Sequence, residues 1–302
     1  MADATAVVLE HRSLLRLGGA DRRSFLQGIV SNDVERVSPE RAIWSGFLTP
    51  QGKFLHEFFV VEEQAGPEGW FLLDCEAGRA ADLARRLKLY KLRARVTIEA
   101  VEDRAVTAVF GPAALSKLNL PAEAGKAAAF AGGLAFVDPR LAALGARVIL
   151  PKQVVGQAVT DAGCHLRTLA DYDALRIARG VPDGSRDLEV EKSTLMESGF
   201  DELNGLDWDK GCYMGQELTA RMRYRGLTKK RLLPVEIAGP APQAGTTLTR
   251  DGKEVGTLRS TVAAEDRSLG LALLRLEALE DGPPLLAGQI PVTPRKPDWA
   301  KL

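Results

Sequence analysis

A chain of 302 residues has room for two or three compact units, which excludes a single small module, and with Lys plus Arg and Asp plus Glu both at 40 it generates no global field for nucleic acid or an anionic membrane. Hydrophobic residues at 45% and charged residues at 26% are ordinary globular values, and no apolar run approaches the roughly 18 residues that span a bilayer. Cysteines at 75, 164 and 212 and histidines at 11, 56 and 165 form neither a disulfide framework nor a zinc pattern, and three scattered thiols are too few to hold an iron–sulfur cluster alone. The thiols read as reduced, and the first ten residues lack a basic flank followed by an apolar stretch, so the expected location is the cytoplasm.

In chain order, residues 14–17 suit a short strand that Gly18-Gly19 breaks. Asp21 is placed to cap a helix carrying Phe25, Leu26, Ile29 and Val30 on one face, closed by an Asn32-Asp33 turn. Residues 42–49 and 54–61 read as strands joined by Pro50-Gln51-Gly52. A strand at 70–74, a helix over 79–90 with Leu83, Leu87 and Tyr90 on one face, and a strand at 95–99 complete a pattern that favours mixed α+β packing. Residues 105–110 form the next strand, followed by a short helix to Leu118 and a loop over 122–133. Strands at 134–137 and 147–150 bracket a turn containing Asp138-Pro139-Arg140. Thr168 caps a helix that carries Tyr172, Leu175 and Arg179 and stops at Gly180 and Pro182. From Arg231 the texture changes to short strands with an Asp251-Gly252 hairpin turn, the pattern of a small β-barrel, in which Pro234 puts the first strand at an edge or a bulge. The expected domains are therefore 1–230 and 231–302.

One stretch concentrates chemistry: Lys210-Gly211-Cys212-Tyr213-Met214-Gly215-Gln216-Glu217, continuing through Leu218-Thr219-Ala220-Arg221 to Arg225-Gly226. A helix is expected from near Gly215, with Leu218 and Met222 apolar and Gly226 as its stop. Cys212 would lie just before its N-terminus beside Lys210, a setting that favours the thiolate; alternatively it is a small buried hydrophobe. Arg221, Arg223, Arg225, Lys229, Lys230 and Arg231 follow with no acid between Leu218 and Val235. They read as an anion site or as cations suited to a helix C-terminus. Tyr213, Trp44 and Trp208 are candidates for stacking on a flat heterocycle, against the alternative that they are core.

The eight-residue pattern from Lys210 to Glu217 resembles the signature of the YgfZ/GcvT-like folate-binding proteins, and its continuation to Arg221 and Lys230-Arg231-Leu232 is closer to the iron–sulfur assembly branch than to the glycine-cleavage T-proteins. Weaker stations are Phe25-Leu26-Gln27-Gly28 with Asn32-Asp33, 48–53, Asp138-Pro139-Arg140, and 172–177 with Gly180. The resemblance implies an α+β fold of two related subdomains with exchanged strands plus a C-terminal small β-barrel, with tetrahydrofolate in the cavity between the domains. It implies Cys212 as the key, catalytic side chain and Asn32, Asp33, Lys210, Tyr213, Gln216, Glu217, Arg221 and Arg225 as cofactor-binding residues. The implied function is a tetrahydrofolate-binding accessory protein for assembly or repair of iron–sulfur proteins; the alternative is a folate-dependent aminomethyl transferase or demethylase. Two departures from the T-proteins weigh against standard aminomethyl transfer: His56-Glu57 stands where they carry paired aspartates, and Ala178 where they carry glutamate. The expected partners are folate and iron–sulfur client or assembly proteins, with neither nucleic acid nor membrane.

Overall fold

The computed structural model describes residues 4–66, 68–264, 267–280 and 282–301. The chain forms two compact units: one comprises the residues up to Leu48, Leu55–Tyr172 and Asn204–Met214, the other Thr49–Phe54, Asp173–Leu203 and the chain from Gly215 onward.

The first unit holds two sheets. Its elements are β1 (Thr5–Val8), β2 (Arg12–Gly18), α1 (Arg22–Gln27), β3 (Ile43–Leu48), β4 (Phe54–Gln64), β5 (Trp70–Glu76), α2 (Ala80–Tyr90), β6 (Thr97–Val101), β7 (Arg104–Phe110), α3 (Ala114–Lys117), β8 (Ala127–Phe130), β9 (Gly133–Val137), β10 (Ala146–Pro151), α4 (Val155–Asp161) and β11 (His165–Leu166). The five-stranded sheet runs β3-β4-β5-β2-β6, and the six-stranded sheet runs β11-β1-β7-β10-β9-β8. Although β1 comes first in the chain, it pairs antiparallel with β7 and parallel with β11, so the N-terminal strand is given to the second sheet. β4 lies inside the first sheet and is buried over nine of its eleven residues, as its aromatic and β-branched composition demands. Helix α2 faces inward with Leu83 and Leu87, one turn apart.

Three local expectations change. Asp21 makes no side-chain cap on α1; its carboxylate instead accepts from Arg95, at 2.8 Å from the backbone N and 2.9 Å from the guanidinium. α1 ends at Gln27, and Ile29 and Val30, expected on its face, are buried in non-helical backbone, with Val30 bridged to Phe47. The stretch 122–133, expected as a loop, contains β8, whose hairpin with β9 turns through Ala131 (φ 47°) and Gly132 (φ 80°). Ala-Gly adopts the positive-φ geometry usually signalled by Asn-Gly, and an alanine run carries little strand propensity.

The core of this unit is partly ionic. Arg12 Nε donates to Asp74 (2.7 Å) and its NH1 to Glu57 (2.5 Å); Arg147 donates to the other oxygen of Asp74 (2.6 Å). Arg140 pairs with Asp138 at 2.8 Å, and both Arg140 and Arg147 donate to the Tyr172 hydroxyl. The guanidinium of Arg147 lies 3.8 Å from the centre of the Phe59 ring. Burial alone would raise the Asp138 pKa, but the charge and hydrogen bonds of Arg140, with the charge of Arg147, carry it below the ordinary value.

Two further helices, α5 (Leu169–Ala178) and α6 (Gln216–Tyr224), precede the barrel strands β12 (Lys230–Ile237), β13 (Thr247–Arg250), β14 (Lys253–Ala263), β15 (Ser268–Arg275), β16 (Leu285–Ala287) and β17 (Ile290–Pro294). At the start of α5 the capping group is Asp171 rather than Thr168: its carboxylate accepts from both the backbone N and the hydroxyl of Thr168. In the second unit the strands close as β12-β15-β14-β13-β16-β17 around Val235, Ile237, Leu248, Leu258 and Leu274. Asp251 (φ 51°) and Gly252 (φ 75°) make the anticipated tight turn between β13 and β14. A closed barrel has no edge, so Pro234 is accommodated differently. Its pairing with β17 begins one residue later, at Val235, and its carbonyl accepts from Arg295 N. Arg176 is fully buried and joins Asp173 (2.5 Å), Asp187 (2.7 Å) and Ser260 (3.0 Å), tying the end of α5 to β14.

Candidate functional site

A helix of six residues leaves carbonyls without intrahelical partners at its end. At the end of α1, Lys210 meets them: its Nζ donates to Gln27 O (2.7 Å) and Val30 O (2.6 Å) and lies 5.2 Å from the Tyr213 ring centre. Burial draws the Lys210 pKa down to about 8, with Asp33 and Asp207 opposing the shift. Four residues on, Met214 N donates to Gly28 O (3.2 Å). Lys210 and Met214 are thus both fixed to the segment 27–30, and Cys212 is the exposed midpoint of the short loop between them. Gly211 (φ +89°) provides the left-handed turn, and nothing lies within 4 Å of where its Cβ would be. Tyr213 is buried. The other two thiols are buried as well; burial, against the charge of Arg12, pushes the Cys75 thiol up to about 12, and burial also raises Cys164.

The second half of the motif belongs to the other unit. Gly215, at φ +80°, starts α6 at Gln216, as its position in the sequence suggested. Gly52 supports this start: a Cβ there would come 2.6 Å from Leu218 Cβ and 2.7 Å from Gly215 O, and its φ is +82°. Gln216 is half-buried, Glu217 is exposed, and Thr219 and Met222 form the buried side of α6. Arg221, Arg223 and Arg225 are exposed, whereas Arg231 turns inward to Glu202 (2.6 Å) and leaves the basic group.

Asn32 borders a cavity of about 310 Å³ in the first unit, with Arg36, Arg41, Ile43, Pro139, Asn204 and Leu206 among its walls. Both amide hydrogens of Asn32 are taken, by Trp44 O and Asn204 O at 2.7 Å, and its Oδ1 accepts from Asp33 N. Asp33 accepts from Gln27 Nε2 (2.8 Å) and Glu35 N (3.1 Å), starting a helical turn rather than ending α1. Arg36 pairs with Asp207 at 2.7 Å, and Arg41 with Glu123 at 3.4 Å. Trp44 is core: it is fully buried and donates to Glu57 at 2.5 Å. Trp208 is half-buried. The structure thus gathers Asn32, Asp33, Lys210, Cys212 and Tyr213 on elements around residues 27–33, and places Gln216, Glu217, Arg221 and Arg225 on α6. Sequence reasoning passed over Arg36, Arg41 and Asn204; an Asn204-Gly205 turn signal was available for the last, which has φ 58°. Among the described residues no group of three or more His, Cys, Asp or Glu is disposed to hold a metal, and no helix is long and apolar enough to cross a membrane.

Residues 229–302 match the family described as CAF17, C-terminal beta-barrel domain. The iron-sulfur cluster assembly factor IBA57, mitochondrial, of Homo sapiens is 35% identical, over 96% of this chain and 84% of that protein. The mouse protein of the same name is 32% identical over 98% and 85%, and the homologue from Coccidioides immitis 31% identical over 92% and 73%. The glycine cleavage system aminomethyltransferase T from Bartonella henselae has a similar fold, with a TM-score of 0.78 at 16% identity over 99% of this chain and 87% of that one. These findings overturn the expected cytoplasmic location, since the relatives are named as mitochondrial proteins. Reduced thiols report a reducing compartment and do not tell one such compartment from another.

Proposed function

Because the chain belongs to the IBA57 family of iron–sulfur cluster assembly factors, we propose that it serves the assembly or repair of iron–sulfur proteins, with tetrahydrofolate as its small-molecule ligand and Cys212 as the side chain that meets the cluster or client. One observation carries this reading: the exposed Cys212 lies midway between two anchors on the same backbone segment, with open space beside Gly211. A thiol held in this way reaches an approaching protein without first ordering its loop. A single thiolate satisfies only part of the usual four-ligand set of a cluster, so the cargo would be held jointly with a partner.

The cavity beside Asn32 suits a folate in chemistry and size, being within the range of small-molecule sites. Ile43, Pro139 and Leu206 offer apolar wall for a flat ring, and Arg41, in a long and exposed pair with Glu123, is available to a ligand carboxylate. Asn32 lines this wall and is held by Asp33 N, and Lys210 and Tyr213 lie in the adjoining loop. Tetrahydrofolate, when bound, carries one-carbon units. The aminomethyl-transfer alternative gains no support from Glu57, whose carboxylate is occupied by Arg12 and Trp44.

Calorimetric titration with tetrahydrofolate, paired with complementation of a strain lacking its own factor, tests both halves. Arg41→Glu is expected to weaken folate at least tenfold. Cys212→Ala is expected to fold and bind folate normally and to fail in restoring iron–sulfur enzymes. A folded, fully complementing Cys212→Ala protein removes the thiol from the function, and absence of a folate isotherm removes the ligand.

A further inference from the structure

We infer that the C-terminal end of α6 and the segment after it form a docking surface for an acidic face of a partner protein. The inference deepens the reading above and rests on it only for the partner's role in iron–sulfur chemistry. Arg221, Arg225, Lys229 and Lys230 are exposed, and among the described residues none of the four makes an ion pair. In a chain with zero net charge this is a local excess, since no carboxylate occurs between Leu218 and Val235. Tyr224, 77% exposed, and Leu227, 44% exposed, lie within the same run. Gly226 between them has φ +60° and open space around it.

Interaction of cations with a helix C-terminus explains part of this. It suits Arg221 and Arg223 in the last turn of α6. It explains neither Lys229 and Lys230, which lie beyond the helix, nor the exposure of Tyr224 and Leu227. An exposed aromatic and an exposed aliphatic side chain within a run of cations match the composition of a protein-binding hot spot, with the charges steering approach and the apolar contacts excluding water. A glutamate tail on a small ligand has no use for Leu227. A nucleic acid would favour several aromatics for stacking, and the run contains one.

The test places the photo-crosslinking residue p-benzoylphenylalanine at position 224 of the full-length protein, in cells that depend on it for their iron–sulfur enzymes, with the same probe at position 89, also exposed, as control. The expected result is a protein adduct specific to position 224, identified by mass spectrometry, whose linked peptide lies in a face rich in Asp and Glu. Its yield should fall at least tenfold on combining Arg221→Glu, Arg225→Glu and Lys229→Glu. Lys229→Gln with Lys230→Gln, which adds no new charge, should reduce it about threefold if the larger change disturbs folding. An adduct with nucleic acid, an adduct with a face lacking carboxylates, a yield indifferent to these substitutions, or no adduct overturns the inference. An acidic partner unconnected with iron–sulfur proteins would uphold the docking surface and overturn the functional reading beneath it.

Discussion

Replacing Asp74 by alanine should be among the most damaging single changes in the first unit. Asp74 is fully buried and accepts from two arginines, Arg12 at 2.7 Å and Arg147 at 2.6 Å. Without it Arg12 keeps Glu57 at 2.5 Å, but among the described residues Arg147 retains only Asp138 at 3.5 Å, the Tyr172 hydroxyl at 3.3 Å and the Phe59 ring. Stranding a buried cation costs about 3–5 kcal/mol. For a unit of this size that corresponds to a fall in melting temperature of roughly 10 °C. Urea unfolding followed by tryptophan fluorescence is suitable, since Trp44, Trp70 and Trp208 lie in the first unit and Trp299 in the second. Adding Arg147→Met should recover part of the loss, because the stranded charge is then gone and methionine fills the space beside Phe59. If Asp74→Ala costs under about 1 kcal/mol, or if the double variant loses the full sum of the two single effects, the charge-stranding argument is wrong.

His56 should give a pH signature: it is buried against Phe47 with Asp82 at 3.1 Å, and burial, then the charge of Arg79, lower its pKa from 6.5 to about 4. Between those values the unfolded chain holds a proton that the folded one lacks, so stability should fall by about 2 kcal/mol as pH drops from 6.5 to 4, and His56→Gln should lack that part of the slope; parallel pH profiles would count against it. In the native protein iodoacetamide should modify Cys212 at least tenfold faster than Cys75 or Cys164, the two buried thiols, and equal rates would refute this. Gly52→Ala should destabilise the start of α6 by about 2 kcal/mol, through positive φ and a Cβ placed against Leu218, and should speed amide exchange there; unchanged exchange would refute the proposed support.

Local features were legible in the sequence where the chemistry was local. The Asp251-Gly252 turn, the start of α5 after Thr168 and the start of α6 after Gly215 all follow from preferences of a few adjacent residues. Long-range pairings were not. β1 joins a sheet whose other strands begin about a hundred residues later, and Arg12 meets an aspartate 62 positions away while Arg147 meets it from 73. The two-residue β11 and the alanine-rich β8 carry too little pattern to be seen, and α4 was passed over. Trp44 shows the same limit at the site: its composition suits stacking on a ligand, but only the fold reveals that it is sealed in the core by Glu57.

Lys210 deserves a different role from the one its neighbourhood to Cys212 first suggests. A lysine two residues from a thiol invites the idea that its charge activates the sulfur, yet two of its donors are directed to Gln27 O and Val30 O. It is partly desolvated there, which lowers its pKa, and the two carbonyl bonds offset the cost. Its contribution is therefore mechanical: with Met214 it fixes the ends of a five-residue loop onto a six-residue helix and its exit. Lys210→Met should keep the first unit folded while loosening the loop, so that Cys212 is modified at least as readily as before and yet, on the proposed function, supports iron–sulfur enzymes less well. A Lys210→Met protein that complements fully, with amide exchange at Met214 no faster than in the parent, would show that the loop needs no such anchor.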